Sequence, residues 1–305
     1  MTLAPYVQIL GRGPGRARSL TMDEAAEAMT LMLHADTPQA ATGAILMLLR
    51  MKGETAEEIA GLAQAAQATL PPLPRADLDW PSYAAGRTRG APWFLMAARQ
   101  VAQSGKRVVI HGWNGADDAV RAGLPNAGIT IARDPDAAAR LLDRDNIVYL
   151  PLENLHPALF RLLQLREVLG LRSCVNTVCR MLNPAAALAS VQGVFHPSYR
   201  LLQADAAKLL GWGNLSVIKG GGGEFERHPS KAVTAFGLRG GDAWEGEFAP
   251  LVDDTRRLAA PDDHRQTANW TRLTPDAFER AIISGTAAIA RQTCLGDAAQ
   301  AMPAA

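Results

Sequence analysis

The sequence predicts an α/β protein: a small N-terminal helical domain, then a larger α/β domain with a mostly parallel sheet covered by helices. Three observations lead to this fold class. The first 70 residues show helical periodicity, a proline-rich segment follows, and short strand-like runs then alternate with helical ones. We place the helical domain at residues 1–72 and the α/β domain at residues 73–305, with residues of about 155–185 returning to the helical domain.

Two N-terminal helices begin with a capping box. The first pair is Thr21 with Glu24, and the second is Thr55 with Glu58. In such a pair the hydroxyl and the carboxylate accept hydrogen bonds from backbone N–H groups that the start of a helix leaves without partners. Apolar residues recur on one face of both segments, so each is predicted to be an amphipathic helix that packs against its neighbours.

A further helix is predicted between these two. Thr37 stands at its N-cap position, Pro38 falls in its first turn, and Gly53 follows its last helical residue. Nearly every face of this helix carries apolar residues, so we expect it to be almost wholly buried. The segment of residues 71–81, PPLPRADLDWP, then interrupts the periodicity and is predicted to be a linker or a segment that crosses between domains.

The remainder of the chain alternates between strand-like and helical patterns, which is typical of a parallel sheet with crossover helices. The predicted strands are residues 106–112, 128–133, 146–151 and 215–221. The predicted helices are residues 91–105, 135–144, 157–170 and 198–211, followed by a closing helix that begins with Thr274 as its cap.

Composition restricts the class of function. The formal net charge is +1, so a role with nucleic acid has to rest on local clusters of basic residues. Three cysteines favour a reducing cytoplasm, and Cys174 and Cys179 lack further ligands at metal-binding spacing. We see no signal peptide and no membrane span, and we expect neither a metal nor a cofactor.

Two stretches carry a family resemblance. The chain reads AATGAILMLLRMKGETAEEIAGLAQA at residues 40–65 and LREVLGLRSCVNTVCRMLNP at residues 165–184. Both resemble anthranilate phosphoribosyltransferases and pyrimidine nucleoside phosphorylases, which form glycosyltransferase family 3. The resemblance implies a helical domain joined to an α/β domain, an active site in the cleft between them, and a homodimer formed through the helical domain. It also places Arg166 where the family's arginine meets the carboxylate of an aromatic acid.

The phosphate-binding loop departs from the family pattern. The family reads GTGGD, a loop whose backbone N–H groups bind diphosphate, where this chain reads SYAAGRTRG. Gly86 and Gly90 remain, the aspartate is absent, and Arg87 and Arg89 add bulk. We therefore expect this loop not to hold a sugar diphosphate in the manner of the family.

Two further motifs also differ. The family's KHGNR becomes IHGWNG, and the serines that follow become ADD at residues 116–118. An adjacent Asp–Glu pair holds magnesium in the family, whereas this chain offers Gly223 and Glu224. These losses argue against anthranilate phosphoribosyl transfer, and we assign no catalytic residue. For His111, a histidine held by local hydrogen bonds is favoured over a catalytic acid, since no carboxylate or hydroxyl stands near it in sequence.

The departures resemble one branch of the family, the YbiB-type proteins. The stretches ILGRGPGRARSL, PSYAAGRTRG and KGGGGEFERHP are similar to motifs of that branch. The resemblance implies nucleic-acid binding, to DNA or RNA, without sequence preference. Arginine contacts to phosphates would provide such binding and make it weaken as salt rises. The residues assigned to phosphate or nucleic acid are Arg12, Arg16, Arg18, Arg87, Arg89, Lys106, Arg107, Arg166, Arg172 and Lys219.

Two alternatives stay open beside nucleic-acid binding. One is a glycosyl or phosphoribosyl transferase that acts on a different substrate and retains Arg166 and Glu224. The other is a scaffold that meets a protein partner through its helical domain. Salt-dependent oligonucleotide binding separates the first interpretation from both alternatives.

Overall fold

A computed structural model describes residues 2–13, 15–84, 91–115, 119–254, 256, 258 and 274–296. The chain begins with four helices, α1 (Ala4–Gly11), α2 (Met22–Leu33), α3 (Gln39–Lys52) and α4 (Ala56–Gln67). Both predicted capping boxes are present at the starts of α2 and α4. Among the described residues, no helix is long and apolar enough to cross a membrane.

Three predictions in this part of the chain need correction. Helix α1 was not expected, although Pro5 in its first turn is a favourable start signal. The N-cap of α3 is Pro38, not Thr37, whose hydroxyl instead donates to the Leu31 carbonyl oxygen at 2.5 Å. Helix α3 is also only partly buried, because Met51 is 82% exposed.

A seven-stranded sheet forms the centre of the α/β part, in the order β3-β2-β1-β4-β5-β6-β7. The first five strands in this order are parallel, and β6 and β7 are antiparallel. The predicted mostly parallel sheet is therefore confirmed. The strands are β1 (Leu78–Ser82), β2 (Val108–Gly112), β3 (Ile147–Pro151), β4 (Ala189–Val194), β5 (Asn214–Lys219), β6 (Val233–Arg239) and β7 (Asp242–Phe248).

Helices cover both faces of the sheet, with a short 3₁₀ turn at Gly221–Gly223 after β5. These helices are α5 (Phe94–Gln103), α6 (Ala119–Asn126), α7 (Pro135–Asp145), α8 (Leu152–Leu155), α9 (Pro157–Leu169), α10 (Val175–Arg180), α11 (Tyr199–Leu209) and α12 (Ala277–Leu295). The cap of the closing helix is Asp276, which forms a capping box with Glu279, so the prediction of Thr274 as its cap is wrong.

The sheet contains strands that the sequence pattern did not predict. Strand β1 lies in the segment expected to be a linker, and β4 and the β6–β7 hairpin were also missed. Pro81 is tolerated in β1 because its pairing with β4 extends only over Leu78 and Asp79. Residues 128–133 do not form a strand, since only an isolated bridge from Ile131 to Tyr149 is present there.

The N-terminal helices share one hydrophobic cluster with the middle of the chain. Leu159 and Leu163 of α9 and Val175 and Val178 of α10 are buried in the same cluster as the apolar residues of α2 and α4. The other main cluster joins the opposite face of the sheet to α5 and α12. Helices α9 and α10 therefore lie between the helical part and the sheet.

Close contact of α2 with α4 predicts different effects of two Gly→Ala substitutions. A Cβ at Gly61 would lie 2.0 Å from the Met22 carbonyl oxygen, whereas one at Gly43 would meet only the Leu169 Cδ2 atom at 3.7 Å. We expect Gly61→Ala to lower the free energy of unfolding by about 1–3 kcal/mol because the backbones must separate.

Gly43→Ala in the middle of α3 is the matched control. Without a clash, replacing glycine inside a helix raises the free energy of unfolding by about 0.5–1 kcal/mol. Urea denaturation of both variants measures the difference. Equal effects of the two substitutions would contradict the packing described for α2 and α4.

Candidate functional site

The carboxyl ends of β1, β4 and β5 meet at one edge of the sheet, because these strands are parallel neighbours. In parallel α/β sheets this edge is where ligands bind. The loop that follows β1 begins at Tyr83, and β5 is followed by residues 220–227, which we name the glutamate loop because they contain Glu224 and Glu226. The candidate site lies between these loops and the helices.

A cavity of about 320 Å³ opens beside this edge. Its walls combine the end of α3, the α9–α10 connection, the end of β4 and helix α11. Four arginines and one carboxylate give it a cationic lining. The charged lining residues are Arg50, Glu54, Arg166, Arg172 and Arg180. Phe195 and Tyr199 add aromatic surface, so the cavity suits an anionic molecule with a flat or apolar part.

Arg180 is the most buried of these arginines, at 6% exposed. One guanidinium nitrogen donates to the Tyr83 carbonyl oxygen at 2.8 Å, and the other donates to the Asn176 carbonyl and side-chain oxygens. Burial lowers the pKa of Arg180, and the nearby charge of Glu224 counteracts this effect. Because arginine retains its charge at such sites, a fixed cation lies at this edge of the sheet.

The same loop start is held by a second arginine. Arg172 donates to the Ala84 carbonyl oxygen at 2.7 Å, and Asn176 donates to the Tyr83 carbonyl oxygen at 3.2 Å. The wall of the cavity and the beginning of the β1–α5 loop are therefore one hydrogen-bonded unit. A substitution in this wall is expected to move the loop as well.

A buried polar chain runs beneath the loop. His111 lies between Asp79, whose carboxylate is 3.2 Å from Nε2, and Tyr83, whose hydroxyl is 2.9 Å from Nδ1. Ser190 donates to the other Asp79 oxygen at 2.8 Å. Burial raises the pKa of Asp79, and His111 opposes that shift. His111 is fully buried and does not line the cavity. This position fits a histidine that is held in place by hydrogen bonds.

The partners of His111 are distant from it in sequence. Asp79 stands on β1, 32 positions before His111, and pairs with Val109 of β2, so that its carboxylate reaches the histidine two residues further along that strand. The fold therefore supplies the carboxylate and the hydroxyl that the neighbouring sequence lacks. Pairing of β1 was unforeseen because the segment had been assigned to a linker.

Both glutamates of the glutamate loop accept hydrogen bonds from the β1–α5 connection. A Glu224 carboxylate oxygen accepts from the Ala84 N–H at 2.8 Å, and Glu226 accepts from the Phe94 N–H at 3.0 Å. Burial raises the pKa of Glu226 to about 8, the Phe94 N–H opposes this shift, and the charge of Glu224 adds to it. The two carboxyl groups thus hold the connection at its beginning and at its end.

The residues around Glu224 do not fit the magnesium site that the family resemblance implies. Gly223 stands in place of the second carboxylate, and the cationic Arg180 lies beside the one that remains. Magnesium prefers several oxygen ligands. Within the described ranges, no group of three or more His, Cys, Asp or Glu side chains could hold a metal ion. We therefore derive no chemical step through magnesium.

The structure separates the basic residues that the sequence had grouped. Arg166 and Arg172 line the cavity, and Lys219 ends β5 at the same edge of the sheet. Lys106 and Arg107 precede β2 and so lie at the opposite edge, where Arg107 pairs with Asp143 at 2.9 Å.

The remaining predicted residues lie elsewhere. Arg12 caps the end of α1, and Arg16 is exposed in the connection that follows it. Arg18 forms a bidentate ion pair with Glu24. Arg87 and Arg89 lie outside the described residues. The described members of the predicted set therefore fall into at least three regions.

Of the residues that line the cavity, only Arg166 and Arg172 belong to the predicted set. Arg50 and Gln203 gave no signal, since each is one polar residue on a helix. Arg180 lies in the stretch of residues 165–184 that carries the family resemblance, but it was not assigned to a site.

The raised pKa of Glu226 predicts a dependence of stability on pH. In the unfolded chain this carboxyl ionises near its ordinary pKa of 4.5, whereas in the folded chain it stays protonated up to about 8. Unfolding between these values releases a proton, so stability is present at low pH and is lost as pH rises toward 8. The slope is about 1.4 kcal/mol per pH unit within that window.

Glu226→Gln removes this contribution, because the amide can accept from the Phe94 N–H and does not ionise. We expect the free energy of unfolding of the variant to fall less steeply between pH 5.5 and 7.5 than that of the parent protein, by about 1.4 kcal/mol per pH unit. Glu245→Gln, at an exposed position on β7, is the control and leaves the slope unchanged. Parallel curves for parent and Glu226→Gln would contradict the assignment.

Comparisons with known proteins agree with this architecture. A model of the helical bundle domain of the glycosyl transferase family matches residues 4–69, and a model of the a/b domain of that family matches residues 94–243. An anthranilate phosphoribosyltransferase of Shewanella baltica is 27% identical over 265 residues, covering 81% of this chain and 71% of the relative. One from Streptomyces coelicolor is 29% identical and covers 93% and 85%.

Solved structures show the same fold. The anthranilate phosphoribosyltransferase of Thermus thermophilus superposes with a TM-score of 0.79 at 21% identity, covering 100% of this chain and 91% of that one. The Saccharomyces cerevisiae enzyme in complex with PRPP and Mg gives a TM-score of 0.76 at 16% identity, covering 96% and 88%. With both domain models matched in order and the full architecture shared, the chain belongs to glycosyl transferase family 3.

Proposed function

We propose that this chain is a glycosyl or phosphoribosyl transferase, similar to the anthranilate phosphoribosyltransferases, that acts on an acidic substrate in the arginine-lined cavity. The cavity is the observation that carries the proposal, because it lies at the ligand-binding edge of the sheet and contains Arg166 and Arg172. Relatives at 27–29% identity over most of the chain support the same class of reaction.

The lining gives each group a role in such a transfer. Release of diphosphate from an activated sugar leaves negative charge that fixed cations stabilise. Arg172 and Arg180 are immobilised by backbone carbonyl oxygens and so keep their positions as charge develops. Arg166 lies on the α9 side, where it can orient the carboxylate of an acceptor. Phe195 and Tyr199 offer surface to a flat ring.

Nucleic-acid binding, favoured by the sequence alone, stays a prediction with less support. Its described residues are divided between opposite edges of the sheet and the N-terminal helices, and two of them pair with acidic side chains. Binding to a labelled oligonucleotide at several salt concentrations tests it. Affinity that is strong at low salt and falls steeply with added salt would restore this interpretation.

The proposed transfer predicts turnover of an activated sugar. We expect diphosphate release from phosphoribosyl pyrophosphate with at least one member of a panel of aromatic acids and nucleobases. Arg166→Ala is expected to lower kcat/KM by about 10- to 100-fold, which corresponds to the loss of a charge-assisted hydrogen bond. A coupled diphosphate assay measures both quantities.

Arg161→Ala is the matched control, because Arg161 lies on the same helix and donates to the Leu33 carbonyl oxygen away from the cavity. It should leave kcat/KM within about twofold of the parent value, because it makes no contact in the cavity. The proposal fails if no acceptor supports turnover, or if both arginine variants lose the same amount of activity.

A further inference from the structure

We infer that the cavity binds a small phosphate oxyanion with Arg180 as its built-in counter-charge, so that binding needs no divalent cation. The inference rests on the proposed function, because it concerns the anion that the same site takes and the charge that neutralises it. It differs from the proposed function in its evidence. A buried arginine and a buried amide oxygen with no partner among the described residues line this cavity, and the backbone of the glycine next to Glu224 disfavours a second carboxylate.

The first observation is the position of the cation. Arg180 is buried on α10 and donates to the Tyr83 and Asn176 carbonyl oxygens, and it lies near enough to Glu224 for that charge to raise its pKa against the effect of burial. Its guanidinium therefore lies beside the carboxylate that a divalent cation would need as a ligand. Arg180 lines the cavity together with Arg50, Arg166 and Arg172 against the single carboxylate of Glu54, so the lining has a surplus of positive charge. An incoming phosphate meets that charge without first recruiting a metal ion.

The second observation is the backbone at Gly223. Its φ is +100°, a conformation that residues other than glycine rarely adopt. A Cβ there would lie 3.5 Å from the Phe195 backbone nitrogen and 3.8 Å from an Arg180 guanidinium nitrogen. An aspartate at this position would therefore be strained by its backbone conformation, although both contacts are of ordinary van der Waals length. The backbone thus disfavours a second carboxylate next to Glu224.

The third observation is the side chain of Gln203 on α11. It lines the cavity at 1% exposure, and its amide oxygen has no hydrogen-bond partner among the described residues. Buried polar groups in folded proteins normally have a partner. A ligand supplies one: the amide oxygen can accept from a sugar hydroxyl, and the amide turned by 180° can donate to a phosphate oxygen.

Arg50 completes the site from the helical side. It lies near the end of α3, and one guanidinium nitrogen donates to the Arg172 carbonyl oxygen at 2.6 Å. This hydrogen bond holds the guanidinium group at the cavity. Arg50 and Arg180 therefore approach the cavity from different elements. A phosphate oxyanion placed between them is bound by both the helical part and the α/β part.

Isothermal titration calorimetry with inorganic diphosphate tests the inference on the whole chain of 305 residues. We expect binding in EDTA, and we expect excess Mg²⁺ to leave the affinity unchanged or to weaken it by complexing the diphosphate. Binding that appears only with Mg²⁺, or that is tenfold or more tighter with it, overturns the inference. Absence of binding under both conditions overturns it as well.

Substitutions at Arg180 and Gln203 test the role of these two residues in diphosphate binding. Arg180→Met is expected to weaken diphosphate binding in EDTA by at least tenfold, with circular dichroism as the check on folding. If this variant does not fold, Gln203→Glu puts a negative charge in the cavity at a nearly unchanged shape and should weaken binding by a similar factor at pH 8. Arg200→Gln, on the same helix as Gln203 but bonded to the Thr234 carbonyl oxygen, is the control and binds like the parent.

The outcome is distinguishable from that of the transferase assay. Diphosphate binding in EDTA without any turnover would contradict the proposed transferase function and support the metal-free anion site. Turnover that depends on Mg²⁺, with no diphosphate binding in EDTA, would contradict the metal-free anion site and support the transferase function. Parent-like binding by a folded Arg180→Met and by Gln203→Glu also overturns the inference.

Discussion

The site depends on how the β1–α5 connection is held at both ends. Glu224 and Arg172 bond to the backbone of Ala84, and Glu226 bonds to the Phe94 N–H at the start of α5. Buried charged and polar groups are costly unless they are paired, and here they pair with backbone groups of the buried residues Ala84 and Phe94. Because those partners come from the α9–α10 connection and from the glutamate loop, the elements around the cavity cannot be rearranged one at a time.

This arrangement explains how a family member can change its phosphate chemistry and keep its fold. The family pattern has two adjacent carboxylates that bind a metal ion. Here the remaining carboxylate, Glu224, accepts a hydrogen bond from the Ala84 N–H, and Arg180 provides the positive charge. Gly223, with its positive φ, disfavours a second carboxylate beside Glu224, and Arg180 places a cation near the one that remains. Neither residue belongs to the hydrophobic clusters that hold the helices on the sheet.

Sequence patterns predicted the architecture well where periodicity and capping were strong. Both capping boxes and the β2, β3 and β5 strands were found, because each depends on residues close together in the chain. Strand β1 was missed because Pro81 and its neighbours are typical of a linker, and only pairing with β2 reveals it. The site was predicted less well for the same reason. The family resemblance identified Arg166 as a site residue. Arg50 and Gln203 come together only in the folded chain, so no local pattern could identify them. The basic residues that were predicted as one group lie at opposite edges of the sheet.

A crystal structure of the chain grown with inorganic diphosphate and excess MgCl₂ tests the central claim most directly. Our account predicts an ordered diphosphate in the cavity with oxygen atoms within hydrogen-bond distance of Arg180 and Arg50, while Glu224 keeps its bond to the Ala84 N–H. A magnesium ion that bridges Glu224 to the diphosphate, with Arg180 turned away, would contradict it.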